Sequence, residues 1–484
     1  MAGIVGYGAY IPRLRIPRKS IVDANVWMNP ALAGLAKGER AMANWDEDSV
    51  TLAVEAARDA LAGHAREAIS GITFASTTMP FADRQNSAII AGALQLPEAV
   101  AAGDRAGSLR AGTGALADAL AAARGTDGNG GLALCVAADM RQARPASPQE
   151  LGLGVGAAAM FVGRENVIAE HLGTFTRTED FVDHFRPDGA RFDYAWEERW
   201  AREQGFLRII PEAVAGLLKQ TGVAAEAIDH LIVPVAVRGA AQGVAKAAGI
   251  PDSAVRDQLA ANCGDTGTAH PLLMLAHALE DAKPGEKILL CGFGGGCDAL
   301  LFETTDAIAG FRPSMGVSGS LARRREEPNY MKFLTFNGLL DVERGLRADE
   351  DKWTALSALH RNRNFLTAFM GGRCTQCGTL QIPKSRVCVN PNCGAHNTQE
   401  DEPFADKPAH VMSWTADRLA YSIDPPAHYG MVQFDGGGRL MSDFTDIDEG
   451  SVAVDMPVRM VFRIKDRDEQ RGFVRYFWKA APDA

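Results

Sequence analysis

The chain has 484 residues, of which 46% are hydrophobic and 23% charged, and 60 acidic against 50 basic residues give a formal net charge of −10. This length predicts several domains with large cores, and the acidic balance disfavours general nucleic-acid binding. The sequence shows no apolar run long enough to cross a bilayer, and its first residues lack the pattern of a signal peptide. We therefore expect a cytoplasmic protein without a membrane span.

An internal repeat organises the first part of the chain. Residues 71–80 form an apolar strand, and small-residue helices (87–97 and 113–124) and two further strands (132–139 and 157–162) follow it. The same succession returns at residues 229–238, 241–251, 268–281, 288–295 and 299–303. Uninterrupted apolar strands are typical of sheets covered by helices on both faces. The pattern predicts a duplicated α/β fold, layered αβαβα with a shared helix layer, although a single doubly wound sheet is the alternative.

Four cysteines are clustered, and short β-rich runs follow them. Cys374 and Cys377 are separated by two residues, and Cys388 and Cys393 by four. Two such knuckles predict a closed tetrahedral site for structural Zn2+, since a complete set of thiolates leaves no position for water; two disulfides are the weaker alternative without a secretory signal. From residue 409 onward, short strands between turn signals predict a small β-barrel.

The C-terminal part resembles the small zinc-ribbon and OB-fold proteins that accompany thiolase-like enzymes in acyl-CoA metabolism. The matching segments are FMGGRCTQCGTLQIPKSRVC and GRLMSDFTDIDEGSVAVDMPVRMVFRI. The resemblance implies a rubredoxin-like ribbon at 352–400 and an OB-fold at 401–484, which dock on or gate a thioester enzyme. OB-folds also bind oligonucleotides, but no basic stripe interleaved with aromatic residues is present here, so we expect no nucleic-acid partner.

The first 345 residues resemble the 3-hydroxy-3-methylglutaryl-CoA synthase branch of the thiolase superfamily, particularly its archaeal type. The segments that carry the resemblance are GIVGYGAYIPRLRI, DEDSVTLAVEAARDAL, ENVIAE and DAKPGEKILL. The resemblance implies two thiolase-like halves, residues 1–164 and residues 165–345 with a linker. It also implies an acyl-CoA thioester as substrate, with coenzyme A as its carrier, and a homodimer.

The chemistry of that family needs a cysteine nucleophile, a histidine that binds the second acyl-CoA and a glutamate that moves a proton. The resemblance places Leu109 at the position of the cysteine, in the segment SLRAGT. It places Pro234 at the position of the histidine and Thr77 at that of the glutamate. We therefore expect these positions to line a substrate site that does not use the family's synthase mechanism.

Other residues offer chemistry near the expected site. Asp265 and His270 flank a Gly turn at the start of a helix and are candidates for an acid/base pair; a capping aspartate and a packing histidine are the alternative. Gly294, Gly295 and Gly296 resemble the loop whose backbone N–H groups bind the thioester oxygen, since glycine allows close approach. Cys263, Cys297 or Ser108 is a possible displaced nucleophile, although buried thiols are more often structural.

Two functions remain open from the sequence. The first is an acyl-CoA enzyme that cleaves or forms a C–C bond without a cysteine nucleophile, by retro-aldol cleavage of a 3-hydroxyacyl-CoA or retro-Claisen cleavage of a 3-oxoacyl-CoA. The alternative is a non-catalytic CoA-thioester scaffold, or a partner subunit of an active thiolase-like or hydratase enzyme. An aromatic-rich insert at residues 181–200 suits an aromatic or steroid-like acyl group, or else packs beneath a loop.

Overall fold

A computed structural model describes residues 2–61, 63–125 and 131–483. Its internal contacts divide the chain into two compact units. The first unit comprises Met1–Ala43, Asp48–Ala91 and Leu96–Phe333, and the second comprises Asn44–Glu47, Gly92–Gln95 and Leu334–Ala484. No helix within the described ranges is long and apolar enough to cross a membrane.

Strands and helices alternate along the first part of the chain. The strands are β1 Gly3–Tyr10, β2 Leu14–Pro17, β3 Glu39–Met42, β4 Ile69–Ala75, β5 Ala101–Arg105, β6 Leu132–Met140, β7 Val155–Gly163, β8 Ala169–Thr178, β9 His184–Phe185, β10 Tyr194–Ala195, β11 His230–Ile232, β12 Lys287–Phe293, β13 Gly296–Thr304 and β14 Arg325–Glu326. The α-helices are α1 Arg18–Asn25, α2 Ser49–Ala60, α3 Asn86–Ala93, α4 Ala111–Gly125, α5 Pro148–Gly152, α6 Glu198–Trp200, α7 Ile209–Thr221, α8 Ala240–Ala248, α9 His270–Asp281, α10 Gly316–Ala322 and α11 Tyr330–Phe336. A π-helix, Ala201–Phe206, precedes α7.

The duplication predicted from the sequence is confirmed by the strand order of the first unit. Among the described residues, the main sheet runs β11-β12-β13-β8-β1-β7-β6-β4-β5. In one half β4 pairs parallel with β6, and β7 pairs antiparallel with both β6 and β1. In the other half β11 pairs parallel with β12, and β13 pairs antiparallel with both β12 and β8. The same arrangement of directions therefore occurs twice.

The two halves fold over a shared layer of helices. Helix α4 packs on β4, β6 and β7 of one half and on β12 and β13 of the other, and α9 likewise contacts strands of both halves. Helix α2 covers the outer face of the first half, and α7 covers that of the second. A short ladder, Gly3↔Glu170 and Ile4↔Ala169, joins the halves into one hydrogen-bonded sheet, which the repeat alone did not predict.

Small residues allow the inner helices to approach backbone closely. A Cβ atom on Gly112, in the first turn of α4, would lie 2.3 Å from the Thr268 carbonyl oxygen. A Cβ atom on Gly292 would lie 2.1 Å from the Thr113 hydroxyl oxygen. Since no side chain fits at either position, the Ala- and Gly-rich composition of α4 is what permits a helix layer between two sheets.

The second unit contains the ribbon and a barrel. Its elements are α12 Leu356–Arg361, α13 Arg363–Leu366, β15 Met370–Cys374, β16 Leu380–Gln381, β17 Gln399–Pro403, β18 Ala409–Asp417, β19 Ala427–Phe434, β20 Arg439–Asp443, β21 Pro457–Asp468 and β22 Phe473–Pro482. In this part of the described chain the barrel strands run β20-β19-β18-β21-β22. A parallel bridge between Phe444 and Ala480 closes the barrel, as in the predicted OB-fold.

The segment Asn44–Glu47, which belongs to the second unit although it lies far upstream in the chain, packs against this barrel. The Ile464 amide donates to the Asp46 carbonyl at 2.8 Å. The Lys479 ammonium lies 2.8 Å from the Asp46 carboxylate and 4.1 Å from the centre of the Trp45 ring. All of these charged side chains are buried, so the upstream segment supplies charge that the barrel interior needs.

Replacing Gly112 with Ala tests the shared helix layer. We expect Gly112→Ala to lower the free energy of unfolding by about 1–3 kcal/mol, because the added methyl group meets a backbone carbonyl that cannot turn away. Gly125→Ala in the same helix is the matched control: nothing lies within 4 Å of its Cβ position, so stability should hold or rise. Urea unfolding followed by circular dichroism measures both, and equal stabilities would contradict the packing described.

Candidate functional site

The carboxylate of Asp139, near the end of β6, joins two loops that the sequence predicts to line the site. Its Oδ1 accepts hydrogen bonds from the Ser76 hydroxyl at 2.9 Å, the Thr77 amide at 2.8 Å and the Thr78 hydroxyl at 2.9 Å. Its Oδ2 accepts from the Thr77 hydroxyl at 3.1 Å and the Thr268 amide at 2.8 Å. Because Asp139 is fully buried, these donors replace water entirely and fix both loops.

Asp265 lies in the second of these loops and is half-buried. Its Oδ1 accepts from the Gly267 amide at 2.9 Å, and its Oδ2 lies 3.3 Å from an Arg141 guanidinium nitrogen. Burial acts to raise the pKa of Asp265, but the charges of Arg141 and His270, the Gly267 amide and the charge of His184 outweigh it and hold the pKa below its usual value. Asp265 is thus an ionised carboxylate whose side chain remains 26% exposed.

His270 begins α9 and points into the interior. Its ring is 3% exposed, and its Nδ1 accepts from the Thr266 amide at 3.3 Å. Burial lowers the pKa of His270, while Asp265 and a hydrogen bond to the Gln258 backbone oppose the shift. The Gln258 side-chain amide in turn donates at 3.3 Å to the carbonyl that precedes Pro234. The ring is therefore neutral near pH 7, and it links the loop of Asp265 to the half-buried strand end at Pro234.

The glycine loop meets the start of α4. Gly294, Gly295 and Gly296 have φ values of 156°, 61° and 115°, which favour glycine. A Cβ atom on Gly294 would lie 2.5 Å from the Ser108 Oγ and 3.1 Å from the Leu109 amide nitrogen. The Ser108 hydroxyl donates to the Gly294 carbonyl at 2.6 Å. The structure thus brings half-buried Leu109 against the loop that the sequence predicts to bind the substrate.

Asp298 anchors this second cluster as Asp139 anchors the first. Its carboxylate accepts from the Arg110 guanidinium and the Thr113 hydroxyl, both at 3.0 Å, and from the Thr176 hydroxyl at 2.9 Å. Gly112 lies between the clusters, since it contacts the Thr268 carbonyl. The first turn of α4 therefore connects Leu109 to the loop that carries Asp265.

The alternative nucleophiles are closed off in this structure. Cys263 and Cys297 are both fully buried. Burial raises the pKa of Cys263 to about 12, and a hydrogen bond with Cys291 together with burial raises that of Cys297. Both thiols are therefore protonated at neutral pH, which disfavours a role in attack. The Ser108 hydroxyl is committed to the Gly294 carbonyl.

Residues 184–195 form a β-hairpin, and the polar side chains on one of its faces contact residues of the candidate site. Ala195 pairs with His184, and Tyr194 pairs with Phe185. The Arg186 guanidinium donates to the Thr77 carbonyl and lies 3.0 Å from the Asp193 carboxylate. Asp193 also binds Arg141 at 2.7 Å, so one chain of ion pairs runs from the hairpin through Arg141 to Asp265.

Two aromatic side chains of the insert, Phe185 and Tyr194, lie on the opposite side of the hairpin. Successive residues of a strand face opposite ways, so Phe185 and Tyr194 point away from the face that carries Arg186 and Asp193. Their rings stand 5.4 Å apart and are about half exposed. Phe185 and Tyr194, two members of the expected aromatic wall, therefore do not face Asp265.

The sequence reading missed several of the residues that build the site. Asp139, Arg141, Asp193 and His184 were not singled out as site residues. One signal was available for Asp139, because an acidic residue ends the apolar strand LALCVAAD, where a charge needs partners. The hairpin contacts depend on residues far apart in the chain, and no local pattern marks them.

The cysteine cluster has the dimensions of a zinc site. The sulfur atoms of Cys374, Cys377, Cys388 and Cys393 all lie within 4.8 Å of one another. The Cys374–Cys393 and Cys377–Cys388 sulfur pairs are 4.0 Å and 3.5 Å apart. A tetrahedron with metal–sulfur bonds of about 2.3 Å has edges of about 3.8 Å, so the four thiols fit Zn2+. Gly378 and Gly394 follow the knuckles with φ values of 72° and 55°.

Three protein-family descriptions match the chain. Residues 218–302 match the C-terminal part of 3-oxoacyl-[acyl-carrier-protein] synthase III. Residues 368–399 match the rubredoxin-like zinc ribbon domain of ChsH2, and residues 403–463 match the C-terminal OB-fold domain of ChsH2. The zinc ribbon and OB-fold predicted from the sequence are thus confirmed.

The first unit is similar in sequence to archaeal enzymes. A hydroxymethylglutaryl-CoA synthase of Caldivirga maquilingensis is 30% identical over 351 residues, which are 71% of this chain and 99% of the relative. The synthase of Aeropyrum pernix is 32% identical over 352 residues, covering 71% and 96%. That of Methanocaldococcus jannaschii is 31% identical over 345 residues, covering 69% and 98%.

Solved structures share the fold at lower identity. An HMG-CoA synthase complexed with CoA superposes with a TM-score of 0.61 at 18% identity, covering 72% of this chain and 92% of that one. The 3-oxoacyl-(acyl carrier protein) synthase III of Pseudomonas aeruginosa gives a TM-score of 0.55 at 23% identity, covering 63% and 98%. These similarities confirm the layered α/β architecture predicted from the repeat and the thiolase-like fold implied by the family resemblance.

Zinc analysis tests the cysteine site. We expect about one zinc ion per purified chain by plasma emission spectrometry, and Cys388→Ser should lose it because three thiolates no longer close the tetrahedron. Cys135→Ser is the matched control, since that thiol is buried outside the cluster and its loss should leave the zinc content unchanged. Full zinc retention in Cys388→Ser would contradict the assignment.

Proposed function

Because this chain belongs to the hydroxymethylglutaryl-CoA synthase family, we propose that it binds acyl-CoA thioesters and cleaves or forms a carbon–carbon bond without a cysteine nucleophile. The observation that carries the proposal is the contact between the glycine loop and the start of α4 at Leu109. This contact supports the proposal because it brings a glycine loop with free backbone approach against a helix start whose side chain, Leu109, cannot act as a nucleophile.

In this proposal two backbone amides bind the thioester oxygen. Within the described chain, the amides of Leu109 and Gly295 donate to no protein acceptor. The helix dipole of α4 adds positive potential at Leu109. Two such donors stabilise the negative charge that develops on the oxygen when the C2–C3 bond of an acyl-CoA breaks. The leaving group is then an enolate, and no acyl-enzyme is required.

The proton acceptor of this proposal is Asp265. Its carboxylate is partly exposed and ionised, whereas His270 is buried with its ring nitrogens engaged. We therefore assign His270 the role of a positioning residue, which supports the loop of Asp265. In a retro-aldol step, Asp265 takes the proton of the 3-hydroxyl group, whose oxygen becomes the carbonyl oxygen of the product. Thr77 and Pro234 belong to the wall of this site.

Product analysis decides between the possible reactions. The purified chain is incubated with a panel of 3-hydroxy- and 3-oxoacyl-CoA thioesters, with and without free CoA, and the products are identified by mass spectrometry. We expect cleavage of a 3-hydroxyacyl-CoA without added CoA, a retro-aldol reaction. CoA-dependent cleavage of a 3-oxo compound would instead indicate retro-Claisen thiolysis. The absence of turnover on the whole panel would contradict an enzyme and favour a scaffold or partner subunit.

Asp265→Asn should lower kcat/KM by about 100-fold or more, since a general base contributes 10²–10⁴-fold. Burial acts to raise the pKa of Asp265, yet Arg141, His270 and His184 hold the pKa low. The carboxylate therefore stays ionised as the pH falls through the usual aspartate range near ~4. Asp265 should accordingly impose no loss of kcat/KM between pH 5 and 8, in the pH profile of the wild type. Unchanged turnover in Asp265→Asn would contradict the assignment.

We also propose that the chain forms a homodimer through β5, the edge strand beside β4. An unpaired edge is a ready site for strand pairing. Light scattering should give twice the chain mass for the wild type. Gly103→Lys, in β5, should give a monomer, because a charge at the edge blocks pairing and nothing lies within 4 Å of that Cβ position. Gly34→Lys is the control with equal space, and a wild-type monomer would contradict the proposal.

A further inference from the structure

Asp183 and His184 form a histidine–carboxylate pair on the polar side of the hairpin. The His184 Nδ1 lies 3.0 Å from the Asp183 carboxylate, and the two side chains are 22% and 16% exposed. At this distance the carboxylate attracts a protonated ring, and Nε2 is the ring nitrogen that remains for a substrate. Among the described residues, the Nε2 of His184 has no hydrogen-bond partner. The pair is therefore close enough to interact electrostatically, and the Nε2 atom of His184 is uncommitted and on a partly accessible side chain.

The hairpin register places this ring on the side that faces the site. His184 and Arg186 are two residues apart in an extended segment, so their side chains share a face. Arg186 donates to the Thr77 carbonyl, which fixes the direction of that face. The charge of His184 also contributes to the low pKa of Asp265, beside the opposing effect of burial and the larger contributions of Arg141 and His270.

The hairpin is held firmly enough to position a catalytic group. Asp193 bridges Arg186 at 3.0 Å and Arg141 at 2.7 Å, and the Arg141 and Asp193 side chains are each only 8% exposed. Arg191 adds a hydrogen bond of 2.8 Å to the Gln142 side chain. Buried, charge-assisted bonds of this kind give fixed geometry as well as energy.

From this geometry we infer that His184, oriented by Asp183, is the second proton-transfer group of the site and exchanges protons with C2 of the acyl-CoA. The inference rests on the proposed function and adds the residue that completes it. It also assigns a role to a histidine that the sequence reading had passed over.

The reaction balances with these two groups. Asp265 takes the proton of the 3-hydroxyl, and the electrons of that O–H bond form the new C=O bond. The C2–C3 bond breaks, and its electron pair passes to C2 as an enolate. Protonated His184 gives its Nε2 proton to C2, which yields a carbonyl compound and a shortened acyl-CoA. The proton on Asp265 returns to His184 through solvent, and no co-reactant is consumed.

Deuterium exchange isolates this step from C–C cleavage. The wild-type chain is incubated with acetyl-CoA or propionyl-CoA in D2O, and deuterium at C2 is followed by mass spectrometry. We expect measurable exchange by the wild type and a loss of about 100-fold or more in His184→Asn. Asn retains an amide that can donate to Asp183, so the hairpin should stay folded. Asp183→Asn should slow exchange less, because the ring is then only misoriented.

A second histidine supplies a matched control. The Nε2 of His230, on β11, lies 2.9 Å from the carboxylate of Glu286, which precedes β12, and His230→Asn should leave exchange unchanged. Added imidazole should restore exchange to His184→Ala, a rescue that a purely structural histidine would not show. Circular dichroism and zinc content verify that each variant is folded.

The outcomes separate the two proposals. Exchange lost in His184→Asn and restored by imidazole in His184→Ala supports the inference. Wild-type exchange and cleavage that persist in His184→Asn overturn the inference and leave the proposed function standing. A wild-type chain that neither exchanges C2 protons nor cleaves any thioester of the panel overturns the proposed function, and the inference with it.

Discussion

The buried carboxylate of Asp139 is the constraint from which the site of the first unit follows. It accepts hydrogen bonds from the loop after β4 and from the Thr268 amide of the loop before α9. These loops belong to different halves of the duplicated fold, and at this point one side chain joins them. A buried carboxylate without such donors would cost several kcal/mol, so the loops can separate only at that cost. These hydrogen bonds of Asp139 therefore fix the loop that carries Asp265.

Close packing extends the constraint to the other side of the site. The carbonyl of Thr268 leaves no room for a side chain at Gly112. This close contact fixes the position of the first turn of α4 relative to the loop before α9. Leu109 and Ser108 precede that turn, and Ser108 binds the carbonyl of Gly294. The glycine loop is therefore placed relative to Asp265 by close backbone packing at Gly112 together with the Ser108 and Asp139 side-chain hydrogen bonds. In the proposed function, this packing holds the thioester-binding loop in place without any contribution from the side chains of Thr77, Leu109 and Pro234.

The sequence predicted those features that local patterns encode. Continuous apolar strands and small-residue helices predicted the duplicated sandwich. The cysteine spacing and the glycines that follow each knuckle predicted the zinc ribbon. Turn signals between β-rich runs gave the barrel. The arrangement of the candidate site was predicted in part, because the resemblance identified the loops of Leu109 and Gly294. The ion-pair chain through Arg141 and Asp193 was not predicted, since its members come from separate loops and no spacing marks them. His184 was overlooked because its position at the site depends on the register of a hairpin whose paired strands are only two residues long.

The barrel also depends on contacts between residues far apart in the chain, which local sequence patterns do not predict. Arg463 and Lys479 are buried inside it, and the Asp446 carboxylate lies 3.1 Å from Arg463. The remaining compensation comes from Asp46, 2.8 Å from Lys479, and Glu47, 3.1 Å from Arg463. Buried cations without partners are strongly destabilising. The charge balance of the barrel therefore includes a segment some four hundred residues upstream. The strand pattern of a sequence indicates where the barrel begins and ends. The buried charges inside the barrel show that it also requires Asp46 and Glu47, which lie outside that range.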